Sequence, residues 1–256
     1  MTARLQACLL TALCVLGLSG SSALGADIRV MSGGAPQEVL TALIPEFEKN
    51  TGYKVHVTYI VIAQIQQRLA AGEKPDLVLM PVPAIEARVK EGVFRGDAWA
   101  ALGIVRIGMV VREGAAKPDI SSVDAFKKAM LDAKSIVHAN PAATPSGAHF
   151  AKVWEQLGIA DALKPKLVFR NALDGGVAAV TKGEAEIGLY PVSEVIHEKG
   201  VSVVGLIPAP VQLNNVYGTA VLTANASPEP AMAFVKFLAD PANTKHWRDG
   251  GFDPAK

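Results

Sequence analysis

The chain has 256 residues, with 25 basic and 24 acidic side chains, a formal charge of +1 and two cysteines. That length suits one large domain or two modest lobes with real cores, because domains cluster near roughly 100 to 150 residues. The balanced charge argues against a nucleic-acid groove or a polybasic membrane patch, so neither partner is expected.

Residues 1–25 read as a secretory signal: Arg4, then an apolar run from Leu5 to Leu18, then small residues at Ala23 and Gly25. The run is shorter than the roughly 20 residues of a membrane span. Cleavage near Gly25 would place a chain starting at Ala26 in the periplasm. It would also remove both cysteines, Cys8 and Cys14, and with them any disulfide or thiolate–metal chemistry.

Strand-like and helix-like patterns then alternate. "DIRVM" (27–31), a helix from Pro36 to Asn50, "KVHVTYI" (54–60), a helix over 62–71, "DLVLM" (76–80) and a helix through Val89 form a β-α-β-α-β series. Such series build parallel sheets. Pro36 suits a first helical turn, and "NTG" at 50–52 is a stop signal. After Gly103, "IVRIGMVVREG" predicts a strand. A second series follows: helix 122–132, strand 135–140, helix 147–157, strand 166–170, helix 175–182, strand 186–190 and helix 192–198. Strands at 201–207 and 215–223 and a helix at 228–239 close the chain. Two α/β lobes joined by strands near 104–112 and 215–223 account for this order.

"RVMSGGAPQEVLTALIPEFEKNTGYKV", "RLAAGEKPDLVLM", "AHFAKVWEQLGIADALKPKL" and "AVTKGEAEIGLYPVSEV" together resemble the periplasmic solute-binding proteins of ABC importers, most of all the molybdate-binding type. The resemblance covers residues 27–253. It implies a type II periplasmic binding protein fold in the α/β class: two lobes, each a mostly parallel sheet flanked by helices, joined by two hinge strands. Lobe 1 would comprise 26–105 and 215–256, and lobe 2 would comprise 106–214. It also implies a monomer that captures a small anion and delivers it to an ABC permease and ATPase, without cofactor or metal.

In open α/β sheets ligands sit beyond the carboxyl ends of strands, where helix N-termini offer unpaired N–H groups to an anion. Ser32, Gly33 and Gly34 fit such a mouth: small residues let the backbone come close, and Ser32 adds a hydroxyl. Thr144, Ser146 and Gly147 in "TPSGAH" form a second mouth, and Gly175 and Gly176 in "LDGG" a third. Each alone is an ordinary cap or turn; together, at equivalent strand ends, they point to one cleft.

The pattern departs from the molybdate type at residues 60–63. Ile60, Val61, Ile62 and Ala63 stand where that type carries a serine cluster, and Ala35 and Pro191 stand where a serine and a tyrosine are common. An oxyanion against such a wall would leave oxygens desolvated and unpaired. An organic carboxylate with a hydrocarbon portion is expected instead, with Ile62 on the wall. Arg106, one charge in an apolar hinge strand, is a candidate partner for the carboxylate, and Arg170 is another; a solvated arginine is the alternative for both. Tyr190 and Tyr217 could stack or donate a hydroxyl, or simply pack. His149 and His138 show no metal spacing.

No Ser-His-Asp order, G-x-S-x-G or P-loop is present. Two functions therefore stay open. One is a transport receptor. The other is a periplasmic isomerase of an unsaturated tricarboxylate such as aconitate, which some exported proteins of this build resemble, with His149, Glu38 or Asp174 as candidate base. Molybdate or tungstate binding is a further alternative.

Overall fold

The computed structural model describes residues 26–255; the secretory segment read at 1–25 lies outside the described residues. The first lobe begins with β1 (Asp27–Ser32), α1 (Gln37–Thr51), β2 (Lys54–Tyr59), α2 (Ile62–Ala70), β3 (Leu77–Pro81), α3 (Val82–Lys90) and β4 (Phe94–Val105). The second is β5 (Ile107–Arg112), α4 (Val123–Asp132), β6 (Ile136–His138), α5 (Pro145–Gln156), α6 (Ala160–Leu163), β7 (Leu167–Phe169), α7 (Gly176–Thr181), β8 (Ile187–Pro191) and β9 (Val201–Leu206). The chain then returns through β10 (Asn215–Leu222), α8 (Glu229–Leu238), α9 (Thr244–Asp249) and β11 (Phe252–Pro254).

One six-stranded sheet has the order β11-β4-β10-β3-β1-β2, and one five-stranded sheet has the order β7-β6-β8-β5-β9. In the first, β1 lies parallel between β2 and β3, and β10 runs antiparallel between β3 and β4. In the second, β6 lies parallel between β7 and β8, while β5 runs antiparallel to β8 and β9. Each sheet carries its own apolar clusters. Helix α1 shows why: Val39, Leu40, Leu43 and Phe47 share one buried face, and the helix ends where left-handed Gly52 returns its N–H to the Glu48 carbonyl.

Three expected elements differ. The strand expected from residue 104 begins at Phe94, because Gly96 and Asp97 break the alternation that marks a half-buried strand. The expected hinge strand 104–112 is two strands in different sheets, with Arg106 at the crossing. The return strand belongs wholly to the first sheet, so the second crossing is the segment 207–214 that precedes it. The helix expected over 192–198 is only a 3-10 turn, Val192–Glu194.

Gln212 ties the two crossings together. Its Oε1 accepts from the Ile107 N–H at 2.7 Å and the Leu213 N–H at 3.0 Å, and its Nε2 donates to the carbonyls of Ile107 at 3.0 Å and Ile207 at 3.1 Å. The two lobes also touch across the cleft. The Ala63 N–H donates to the Ala143 carbonyl at 3.3 Å, and His197 Nε2 donates to the Asp249 carbonyl at 3.1 Å while lying 3.3 Å from Glu38.

Candidate functional site: the inter-lobe cleft

Strand β1 ends at Ser32, which is fully buried and donates its hydroxyl to the Gly33 carbonyl at 2.8 Å. Gly33 lies under a close approach: a Cβ there would meet Tyr217 Oη at 2.8 Å and Ile62 Cδ1 at 2.9 Å, and one of these side-chain ends would have to shift. The turn thus lets a tyrosine from β10 and an isoleucine from the first turn of α2 close over the mouth of α1. Facing them, Thr144 caps α5, accepting from the Gly147 N–H at 3.1 Å and lying 3.2 Å from the Ser146 hydroxyl. Gly147 packs against the Ala139 and Asn140 carbonyls, where no side chain fits.

Between these surfaces lies a small cavity of about 40 Å³, walled by Gly33, Gly34, Val61, Ile62 and Tyr217 on one side and Ala139, Thr144, Ser146, Ala172 and Glu194 on the other. It adjoins a wider groove of about 700 Å³ that shares Gly34, Ala172 and Glu194 and adds Gln37, Glu38, Gly175, Ser193, His197 and Glu198. No Lys or Arg lines either space among the described residues.

Glu194 is the acid common to both. The 3-10 turn that carries it is held by the Val192 N–H donating to the Arg106 carbonyl at 2.8 Å and the Val195 N–H donating to the Val192 carbonyl at 3.1 Å. The residue keeps partial exposure toward the cleft, yet its carboxyl is desolvated, and that burial pushes its pKa up to about 7. Burial raises the pKa of Tyr217 and Tyr190 strongly, and the Glu194 charge raises both further. Both tyrosines are therefore hydroxyl donors.

The residues expected from sequence divide into three sets. Gly33, Gly34, Ile62 and Ser146 line the inner cavity, and Gly175, left-handed at φ 81°, lines the outer groove. Ser32 and Gly147 lie directly behind that wall. Tyr190 is fully buried beneath it and donates to the Arg170 carbonyl at 2.9 Å, with Gly176 packed on its hydroxyl. The two arginines do not reach the cleft lining. Arg106 sits at the sheet crossing and pairs with Asp253 of β11 at 2.5 Å, and Arg170 pairs with Glu184 at 2.6 Å, both half in solvent. Of the candidate bases, His149 donates Nε2 to the Val211 carbonyl at 2.8 Å, Asp174 accepts from Asn171 at 2.8 Å, and Glu38 faces His197 in the outer groove. His138 is buried, accepts from Trp154 and is pushed down to about 4 by desolvation.

Glu194 itself escaped the sequence reading. Its signal was available: one acid between Val192 and Val195 just past a strand end, the same argument that drew attention to Arg106. Among the described residues, no group of three or more His, Cys, Asp or Glu side chains is arranged to hold a metal.

Residues 28–253 match the family described as bacterial extracellular solute-binding protein. The chain belongs to that family. Within it, the chain groups with the molybdate-binding-like periplasmic proteins of the type II fold. An aconitate isomerase from Pseudomonas sp is 32% identical over 89% of this chain and 87% of its own length. The molybdate-binding protein ModA of Rhodobacter capsulatus is 25% identical over 93% of this chain and 92% of its own. The periplasmic molybdate-binding protein of Azotobacter vinelandii shares the fold, with a TM-score of 0.75 at 17% identity over 90% of this chain and all of that one.

Proposed function

We propose that this solute-binding protein is exported and takes a small organic polycarboxylate of the aconitate type into its inter-lobe cleft, in preference to molybdate. The observation that carries this reading is the mixed lining of the inner cavity: Val61, Ile62, Ala139 and Ala172 give it apolar surface, and Thr144, Ser146 and Tyr217 give it hydroxyls, with the Glu194 carboxyl beside them. A tetrahedral oxyanion needs donors on every side, and an apolar wall leaves part of it desolvated without compensation. A carboxylate placed at the mouth of α5 meets hydroxyl donors and the positive end of a 12-residue helix, while its hydrocarbon portion lies on Val61 and Ile62. The 32% relative named for an aconitate substrate agrees with this choice.

The inner cavity of about 40 Å³ lies well below the roughly 300–1,000 Å³ of a pocket that encloses a small organic ligand. A six-carbon acid therefore extends into the adjoining groove or parts the lobes as it enters. As a receptor, the protein would return the acid unchanged to an ABC permease and ATPase. A second reading, isomerisation of the bound acid, is favoured by the relative's name and by the desolvated carboxyl on the wall.

The test is a thermal-shift and calorimetry panel of cis-aconitate, trans-aconitate, saturated tricarboxylates, sulfate, tungstate and molybdate. An aconitate isomer at 100 times its dissociation constant should stabilise the fold by about 2.7 kcal/mol. Tight binding of molybdate with no response to any tricarboxylate would overturn the proposal.

A further inference from the structure

Glu194 has an environment that a merely structural acid would not need. It makes no ion pair or side-chain hydrogen bond with any described residue, and desolvation alone accounts for its displaced proton affinity. Among the described residues it is the one carboxyl on the inner cavity, and it also forms part of the outer groove, so it stands where the two spaces meet. Its position is fixed by backbone bonds on both sides of the turn. Tyr217, whose hydroxyl hangs over the Gly33 turn, lines the same cavity.

We propose that Glu194 is the general acid–base of the cleft and moves a proton between the two ends of an allylic unit in a bound unsaturated polycarboxylate. This rests on the preceding reading that such an acid occupies the cleft. In the first half-step the Glu194 carboxylate takes a proton from the methylene next to a carboxylate. The C–H bond breaks, and its electron pair spreads over the three-carbon unit and the adjoining carboxylate. In the second, the Glu194 carboxylic acid returns the proton to the far carbon, the double bond settles in its new place, and the protein is restored. No oxidant, reductant or metal takes part in the balance.

The chemistry suits the surroundings. A base works best when its proton affinity lies near the working pH, and a carboxyl held near 7 by burial meets that condition where an ordinary one at 4.5 would not. The electron-rich intermediate gathers charge on a substrate carboxylate, where neutral donors placed in advance are effective. Tyr217, Thr144 and Ser146 are such donors on the cavity wall.

The experiment combines calorimetry with proton NMR of cis- and trans-aconitate, for the wild-type chain, Glu194→Gln and Glu194→Asp. The wild type should bind an isomer and interconvert the two at catalytic protein concentration. Glu194→Gln should bind with affinity within a few fold, while turnover falls by about a hundredfold or more; Glu194→Asp, which keeps the carboxyl but shortens its reach, should recover part of the rate. The wild-type rate should rise with pH through the titration of Glu194, whose titratable neighbours are Tyr217, Glu38, His197 and Glu198 on the same spaces and Tyr190 buried beneath them; that acidic limb should vanish in Glu194→Gln. If the wild type binds neither isomer, the carboxylate reading fails. If it binds but does not interconvert them, or if Glu194→Gln turns over like the wild type, the assignment of Glu194 fails and the binding reading stands.

Discussion

The turns after β1 and β2 meet the cleft with Gly33, Gly34, Val61 and Ile62, none of which has a side-chain hydrogen-bonding group, whereas the second lobe meets it with Thr144, Ser146, Asn171 and Glu194. The first surface sets the shape and dryness of the site; the second holds most of its donors and its proton-exchanging group. The difference follows from construction. Gly33 must be small because Tyr217 and Ile62 close over it, while α5 opens on a Thr cap whose hydroxyl is needed to satisfy a helix N–H in any case. Substitutions on the first surface are thus expected to act more on affinity than on stability, and loss of the Thr144 cap on the second to act on both.

The largest effect expected is on stability and comes from Glu194. A carboxyl at about 4.5 when unfolded and about 7 when folded leaves stability unaffected below the lower value, where both states are protonated. As pH rises between the two, the unfolded chain ionises while the folded one keeps its proton, so stability falls. Above 7 the full cost is present, about 3 kcal/mol. Glu194→Gln should therefore raise the melting temperature more at pH 8 than at pH 5. Equal shifts at both pH values would show that the carboxyl is solvated and would remove the contrast between the two surfaces.

Next comes Gly147→Ala. Its Cβ would be driven into the Ala139 and Asn140 carbonyls, which cannot move without shifting the start of α5, and overpacking of this kind costs about 1–3 kcal/mol. Gly33→Ala presses instead on the far ends of two side chains, so denaturant melts should show a smaller loss while calorimetry shows weakened ligand binding. If Gly33→Ala proves the more destabilising, the first surface is the stiffer one and the comparison reverses.

Thr144→Ala should cost about 1 kcal/mol through loss of the cap, and should weaken ligand binding at the same time. The smallest effect belongs to Arg106→Ala. Its pair with Asp253 is partly exposed, so the change should cost less than about 1 kcal/mol and leave ligand affinity nearly unaltered. A large affinity loss in that variant would return the anion to the hinge.

The alternation of strands and helices and the convergence of small residues at strand ends were legible in the sequence, because period, caps and glycine follow from local sterics. Arg106 and Glu194 show where that legibility stops. Each is a lone charge near apolar neighbours, and only the tertiary path decides that the first falls at a sheet crossing within reach of β11 while the second turns into the cleft. The reading of 192–198 as a regular helix added to the error, since the observed 3-10 turn ends at Glu194 and is anchored by a hydrogen bond to the Arg106 carbonyl. The long strand from Phe94 was hidden for a related reason: its glycine and aspartate fall in an irregular stretch of the β4–β10 ladder, between the Phe94–Leu222 and Trp99–Ala220 pairs.

The Ala63–Ala143 hydrogen bond joins the two lobes through main-chain atoms alone, so among substitutions only proline at Ala63, which has no N–H, removes it directly. If a ligand enters by parting the lobes and not through the outer groove, it is admitted only in the fraction of molecules that are momentarily open, and measured affinity is the intrinsic affinity scaled by that fraction. Capture then saturates: beyond a certain ligand concentration the protein fills no faster than its lobes part, and the latch rather than diffusion sets the pace.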